Sequence, residues 1–371
     1  MAETPAAPAP EALSLVALAD RCVQCGLCLP HCPTYQLDRT EAESPRGRIA
    51  YMKATASGLL PPSDTGDRHL DHCLGCRRCE AVCPAGVEYE VLLVGARARQ
   101  FERWTPPLKG RLVADLLARP RLLGALGPLA RAVHALPALP PDPRIPSRPV
   151  VPARGRVSLF VGCVAGTYEQ GSRQSLTRLL AAVGFDVEIP TGQTCCGTAA
   201  AHLGDRRTAA ELAARNRRAF SEAPVLSLAT GCLQILAQNL DGRAPVFDAL
   251  EFLEREGADL SFRPAKRKVA LHVPCTQRVA KSDAALIRLL RRIPELDLVE
   301  LPDTGCCGAA GLHMVNEPDR AARFRAPLID ALSASGAVEL LSANIGCRLH
   351  LANGTKIPVR HPVDFLAEHL A

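Results

Sequence analysis

Aromatic side chains are scarce: one Trp, four Tyr and nine Phe make up 4% of the chain, so its cores rest on Leu, Ala and Val. A strong excess of either charge is missing too. The 44 Lys and Arg against 38 Asp and Glu leave a formal +6, too little to argue for a nucleic-acid binder without a clustered basic face. No stretch reads as a membrane span. The longest uncharged run, Ala223 to Leu240, holds Gln234, Gln238, Asn239, Ser227, Thr230 and Gly231, and reads instead as a buried strand, VLSLA, followed by a turn and a helix. The start, MAETPAAPAPEALSLVALAD, has no positive n-region of an export signal. The expectation is a globular protein of a reducing compartment, cytoplasmic and at most attached to the inner face of a membrane.

What the chain does have is cysteine. Sixteen of its 371 residues are Cys. Disulfide scaffolds are short because they compensate for a small core, whereas this chain is long and 47% apolar, so metal ligation is the expected use. Eight Cys fall between Cys22 and Cys83, none between Cys83 and Cys163, and eight from Cys163 to Cys347. The gap contains PALPPDPRIPSRPVVP, Pro137 to Pro152, whose seven prolines favour an extended connection. Ahead of it, Leu108 to Leu136 carries Lys109, Arg111, Arg119, Arg121 and Arg131 against Asp115, with Pro120 and Pro128 breaking it into short helices. Such a segment packs on its own domain, or docks a partner or a membrane surface.

Two runs carry the strongest signal: Cys22-x2-Cys25-x2-Cys28-x3-Cys32-Pro33 and Cys73-x2-Cys76-x2-Cys79-x3-Cys83-Pro84. This is the ligand run of bacterial two-cluster ferredoxins, in which three thiolates hold one [4Fe–4S] cluster and the fourth reaches the other. One cluster is expected on Cys22, Cys25, Cys28 and Cys83, the other on Cys73, Cys76, Cys79 and Cys32. Zinc, the competitor, needs four ligands and would leave thiols unused in each run. His31, His69 and His72 stand nearby, as surface residues or as hydrogen-bond donors to cluster sulfur. About forty residues separate the runs, and SPRGRIAYMKATASG between them reads as helix after a Pro-Arg-Gly turn. A mainly helical cluster domain fits this insert better than a compact ferredoxin.

The second half is an internal duplication. RVSLFVGC leads to Cys163 and KVALHVPC to Cys275. A helical stretch and a strand-like run then lead to Cys195-Cys196-Gly197 and to Cys306-Cys307-Gly308. After another helix come LATGC, with Cys232, and SANIGC, with Cys347. Matching cysteines stand 112, 111 and 115 positions apart. Strands alternating with helices predict α/β units on parallel sheets, with the cysteines gathering at strand ends.

The lone Cys, the Cys-Cys-Gly and the further Cys resemble the cysteine-rich module of heterodisulfide reductases and of the iron-sulfur subunits of hydroxy-acid and glycerol-phosphate dehydrogenases. CGLCLPHCPTYQL with SPRGRI, DHCLGCRRCEAVCPAGVEY, HVPCT, CCGAAG and SANIGCRLHL with PVRHPVDFL together resemble the iron-sulfur subunits of bacterial glycolate oxidases, from Asp20 onward. The resemblance implies an α+β multidomain chain: a mainly helical two-[4Fe–4S] ferredoxin domain (residues 1–100), a basic helical segment and Pro-rich linker (101–155), and two duplicated α/β cysteine-rich modules (156–262 and 263–371). It implies an electron-transfer subunit in a hetero-oligomer with a flavin-binding dehydrogenase subunit, delivering electrons to an acceptor such as a quinone. Subunits of anaerobic glycerol-3-phosphate or lactate dehydrogenases, and a heterodisulfide-type thiol enzyme, are the alternatives. In the fullest form of the module the last Cys belongs to a Cys-x2-Cys pair, but here Ile235 and His350 stand at those places. Cys163, Cys195, Cys196 and Cys232, and Cys275, Cys306, Cys307 and Cys347 with His350, remain as candidate ligands of one or two further clusters, or of none. His272 and His313 flank the second set as candidate supporting groups. No Gly-x-Gly-x-x-Gly, Walker loop, Gly-x-Ser-x-Gly or His-Glu-x-x-His occurs, so no catalytic residue for an organic substrate is expected in this chain.

Overall fold

The computed structural model describes residues 10–103, 108–120, 122–125, 139 and 152–371, with the side chains of 10–14 and 108–109 left aside. Two compact units emerge, Met1–Leu108 with Ala200–Arg206, and Lys109–Ala199 with Arg207–Ala371. Most of the Pro137–Pro152 linker, with Arg121, Pro128 and Arg131, lies outside the described residues. The basic segment begins as the helix Leu108–Leu117, which stops ahead of Pro120. No helix among the described residues is long and apolar enough to cross a membrane.

The first unit is helical, built from Pro10–Asp20, Pro33–Asp38, Pro45–Ala56, Asp64–Asp71, Arg78–Ala81 and Tyr89–Arg103. Its core gathers Ile49, Met52, Leu70, Leu92 and Leu93, with Cys22, Cys73, Cys79 and Cys83 packed at the edge. The helix between the two Cys runs starts earlier than expected. Pro45-Arg-Gly forms its first turn rather than a turn before it, because the Ser44 hydroxyl accepts from Gly47 N at 2.9 Å and Pro45 occupies the first helical position.

The second unit holds two four-stranded parallel sheets. In one, β1 (Gly155–Phe160), β2 (Phe185–Glu188), β3 (Val225–Ser227) and β4 (Val246–Asp248) lie in the order β2-β1-β3-β4. In the other, β5 (Lys268–Leu271), β6 (Asp297–Glu300), β7 (Glu339–Leu341) and β8 (Val359–Arg360) repeat it as β6-β5-β7-β8. The expected duplication is thus a duplication of topology. The inner strands β1, β3, β5 and β7 read as apolar runs, as strands covered on both faces do.

The copies do not stand apart. One apolar core runs through both, joining Leu159, Leu176 and Leu253 to Leu271, Leu289 and Phe365. The packing is reciprocal: the helix Gln170–Ala182 lies against Pro362–His369, and Ala249–Glu256 against Asp283–Arg291. Each copy covers the long helix after the other's first strand with its own last helix. The point near residue 263 where the repeat restarts therefore lies inside a single packed body.

Candidate iron-sulfur centres

In the first unit the two Cys runs fold into matching loops. Left-handed residues flank the central Cys of each: Gln24 (φ 57°) and Gly26 (φ 83°) around Cys25, Gly75 (φ 59°) and Arg77 (φ 58°) around Cys76. Interleaving left-handed residues in this way turns successive N–H groups into a concave nest for an anionic centre. Cys22, Cys25, Cys28 and Cys83 line one open cavity, and Cys32, Cys73 and Cys76 line a second. Cys79, Pro45 and Tyr89 belong to the walls of both. The fourth Cys of each run thus reaches the other run's cavity.

The donor sets fit iron-sulfur clusters. A cluster on four thiolates is anionic, and each cavity has arginine in its wall, Arg46 in the first and Arg48 and Arg77 in the second. Arg46 Nη1 donates to Gln24 O at 3.0 Å, bracing the first loop. Burial pushes the Cys28 and Cys79 thiols up; iron held there would reverse that by displacing their protons.

A buried polar cluster that the sequence did not announce supports the second cavity. Arg48 and Glu43, 1% and 4% exposed, pair at 2.5 Å. Arg48 also donates to Thr34 Oγ1 (2.9 Å) and to the carbonyls of Glu43 (2.6 Å) and His69 (2.6 Å). The other carboxylate oxygen of Glu43 accepts from Nδ1 of His69 (2.7 Å) and of His72 (2.6 Å). Burial alone would raise the Glu43 pKa. The His72 bond, the Arg48 charge and the His69 bond outweigh it and hold the carboxyl at about 2. Thr34 Oγ1 lies 3.2 Å from Cys32 Sγ, and His72 precedes Cys73, so the network braces a cysteine of each run. His31 is exposed.

In the second unit the cysteines gather beyond the carboxyl ends of the strands, where open parallel sheets place their ligand sites. Cys195 shares side-chain hydrogen bonds with Cys163 and Cys196, and Cys196 with Cys232. The Cys195 and Cys232 bonds push the Cys196 thiol down, and Cys195 and Cys232 rise correspondingly. Fully buried Asn216 clamps this loop, donating to Cys195 O at 2.8 Å and accepting from Thr194 N at 2.9 Å. The glycine of each Cys-Cys-Gly takes a left-handed φ, 97° at Gly197 and 93° at Gly308, which explains the third letter of the motif.

The second copy joins Cys306, Cys307 and Cys347 through side-chain hydrogen bonds, with Cys275 buried at the start of its helix. The Cys306 bond lowers the Cys307 thiol, but the Cys347 bond and burial outweigh it. Asn344 Nδ2 donates to Cys347 Sγ at 3.3 Å. His350 differs from its expected role: its Nε2 lies 3.1 Å from Ala321 O, and the Cys307 carbonyl is a further backbone partner. The i, i+3 spacing from Cys347 puts both on one helix face, yet the ring is engaged by backbone. His313 Nδ1 sits on Gly308 O at 3.1 Å. His272 is the histidine among the thiols. A ring nitrogen of it, Cys307 Sγ and Cys347 Sγ lie within 4.8 Å of one another.

Comparisons with known proteins agree with this architecture. Residues 18–87 match the 4Fe-4S dicluster domain family, and residues 157–236 and 269–352 match the cysteine-rich domain family. The chain is 30% identical to the glycolate oxidase iron-sulfur subunit of Escherichia coli K12, over 97% of this chain and 96% of that one. It is 30% identical to a probable glycolate oxidase iron-sulfur subunit of Bacillus subtilis 168, over 94% and 93% of the two chains. A shorter match, 28% identical over 59% of this chain and 60% of the relative, joins it to a subunit of the anaerobic glycerol-3-phosphate dehydrogenase of E. coli. With a dicluster domain, two cysteine-rich domains and near full-length similarity, the chain belongs to the family of glycolate oxidase iron-sulfur subunits, electron-transfer components of hetero-oligomeric oxidoreductases.

Proposed function

We propose that this chain relays electrons in a glycolate-oxidising enzyme. A flavin-binding partner takes two electrons from the 2-hydroxy acid, leaving glyoxylate, and this chain passes them singly to an acceptor such as a membrane quinone. The observation behind this reading is the pair of Cys-lined cavities with a common wall at Cys79, Pro45 and Tyr89. In it Cys22, Cys25, Cys28 and Cys83 hold one [4Fe–4S] cluster, and Cys32, Cys73, Cys76 and Cys79 the other. Bound there, such clusters supply one-electron acceptance and donation.

The chain's own residues set the conditions for that traffic. Arg46, Arg48 and Arg77 offset negative charge at the cavities. Tyr89, buried, presents its hydroxyl 3.5 Å from Cys73 Sγ. Cys25 is exposed, and Val23 and Leu27 on either side are 68% and 56% exposed, an apolar rim suited to a partner at the first cavity. The basic segment around Arg111 and Arg119 serves attachment to the partner or to the cytoplasmic face of the membrane. The reading as a heterodisulfide-type thiol enzyme loses support from Ile235 and His350, which stand where its further cysteines would be.

The test is anaerobic co-purification of the full chain with its flavoprotein partner, followed by addition of glycolate, lactate or glycerol 3-phosphate. Glycolate is expected to bleach the visible cluster absorption and to raise the electron paramagnetic resonance signal of reduced clusters. Reduction by glycerol 3-phosphate or lactate without response to glycolate moves the chain to another donor. Colourless protein with zinc in place of sulfide overturns the electron-transfer reading.

A further inference from the structure

The two cysteine-rich copies share a topology but not a chemistry at one sheet position. At the end of β1, three residues ahead of Cys163, Phe160 pairs with Ser227 of β3. The corresponding residue of the second copy, three ahead of Cys275, is His272. Its backbone N–H donates to Leu341 O at 2.9 Å, continuing the β5–β7 ladder, so its cross-strand neighbour is Ser342, the counterpart of Ser227. His272 is 4% exposed, and its Nδ1 lies 3.0 Å from the Ser342 hydroxyl. Cys307 Sγ and Cys347 Sγ share a 4.8 Å neighbourhood with a ring nitrogen of His272, and the Ser342 contact, by engaging Nδ1, leaves Nε2 as the nitrogen for those thiols.

We propose that the second cysteine-rich copy holds its metal through a mixed nitrogen–sulfur set, with Nε2 of His272 as a donor beside Cys307 and Cys347, while the first copy offers sulfur alone. This rests on the reading of these copies as metal centres. Neutral imidazole and thiolate together suit iron and zinc, and a metal-bound histidine characteristically has its other nitrogen held by a hydrogen-bond partner, here Ser342. His350 is excluded by its engagement with Ala321 O. The four thiols and His272 make five donors for four positions, so the set that includes His272 leaves one thiol outside. An imidazole in place of a thiolate makes the centre one unit less negative, and in iron-sulfur proteins that replacement raises the potential. With iron in both, the two copies are then unequal stations for an electron.

The test uses the full chain, purified anaerobically as wild type, His272→Phe (the residue of the first copy), Ser342→Ala and His350→Gln. Iron and zinc per chain are counted. Imidazole coordination is read by pulsed electron paramagnetic resonance, through nitrogen coupling to a paramagnetic cluster, and by zinc-edge X-ray absorption, through outer-shell imidazole scattering. The first method reports an iron centre and the second a zinc ion. The expected result is an imidazole signature in wild type and His350→Gln, lost in His272→Phe and shifted in Ser342→Ala. An unchanged signature in His272→Phe, or none in loaded wild type, overturns the proposal. Wild-type metal equal to the two ferredoxin-type sites alone overturns the underlying reading of the copies as metal centres, a different failure. Should His272→Phe not fold, Ser342→Ala decides: it retains the imidazole, and a signature identical to wild type overturns the assignment.

Discussion

Glu169 and Arg348, 179 positions apart in the chain, form an ion pair inside the second unit with side chains 0% and 4% exposed. It ties the first cysteine-rich copy to the second next to Cys347 and within electrostatic reach of Cys232. Other buried bonds cross the same seam. Ser172 Oγ donates to Asp364 at 2.7 Å, and the Asp248 carboxylate accepts from Ser282 (2.6 Å) and Gln277 (3.0 Å).

Removing one partner leaves a buried charge uncompensated. Arg348→Met is expected to destabilise the unit by about 3–5 kcal/mol. The double change Glu169→Leu with Arg348→Met is expected to recover most of that loss, since two apolar side chains can replace a buried pair at little cost. Denaturant titration of the single and double variants checks this. Equal losses in both would show that the pair itself is not what matters.

His361 links the copies in a way that acid should undo. Its Nε2 donates to Leu228 O and its Nδ1 accepts from Val363 N, both at 3.1 Å, so the neutral ring is fully used and a second proton has no place. Burial, with the Arg348 charge, pushes its pKa down to about 3. The unfolded chain takes this proton near pH 6.5 and the folded chain only near 3, so the unfolded state binds more protons in between. The stabilisation is whole above pH 6.5 and falls as pH drops towards 3, with about 2 kcal/mol lost by pH 5. Melting temperatures at pH 7.5 and pH 5 should separate more for wild type than for His361→Gln. Parallel curves would remove the assignment.

The two Cys-Cys-Gly glycines share a φ but not their surroundings. A Cβ on Gly308 would meet Ala321 O at 2.6 Å, whereas on Gly197 the nearest atom is 3.6 Å away. Gly197→Ala is expected to cost the left-handed strain alone, about 1–2 kcal/mol. Gly308→Ala adds overpacking of about 1–3 kcal/mol. Equal unfolding midpoints for the two variants would contradict the geometry.

Crossed ligation predicts which substitutions share a phenotype. Cys83→Ser should diminish the same cluster signal as Cys25→Ser, and Cys32→Ser the same as Cys76→Ser, because each fourth Cys lines the other run's cavity. Cluster spectra of the four variants, with iron per chain, check the pairing. Cys83→Ser grouping with Cys76→Ser would mean that each run closes on itself.

Much of this was legible because cysteine spacing is a local signal. The runs from Cys22 and Cys73 place three ligands on one loop whatever surrounds them, and the repeat of strand, Cys-Cys-Gly and Cys gave two sheets of one topology. The reciprocal packing of Gln170–Ala182 on Pro362–His369 depends on contacts nearly two hundred residues apart, which no periodicity encodes. Glu43, Arg48, His69 and His72 read singly as surface polar residues and become a network only when two helices meet. His350 attracted attention as a ligand by its spacing from Cys347, while His272, in the strand pattern KVALHVPC, read only as a supporting group, because alternation does not show which thiols a strand-end side chain meets.

The reciprocal helix exchange also bears on how the protein is made. The helix Gln170–Ala182 waits for Pro362–His369 to cover it, and their separation along the chain is among the largest of the second unit's contacts. During synthesis the first sheet emerges long before its cover does. Such distant contacts slow folding and leave apolar surface uncovered meanwhile, so the nascent first copy is a natural client for chaperones until the ribosome has delivered the second.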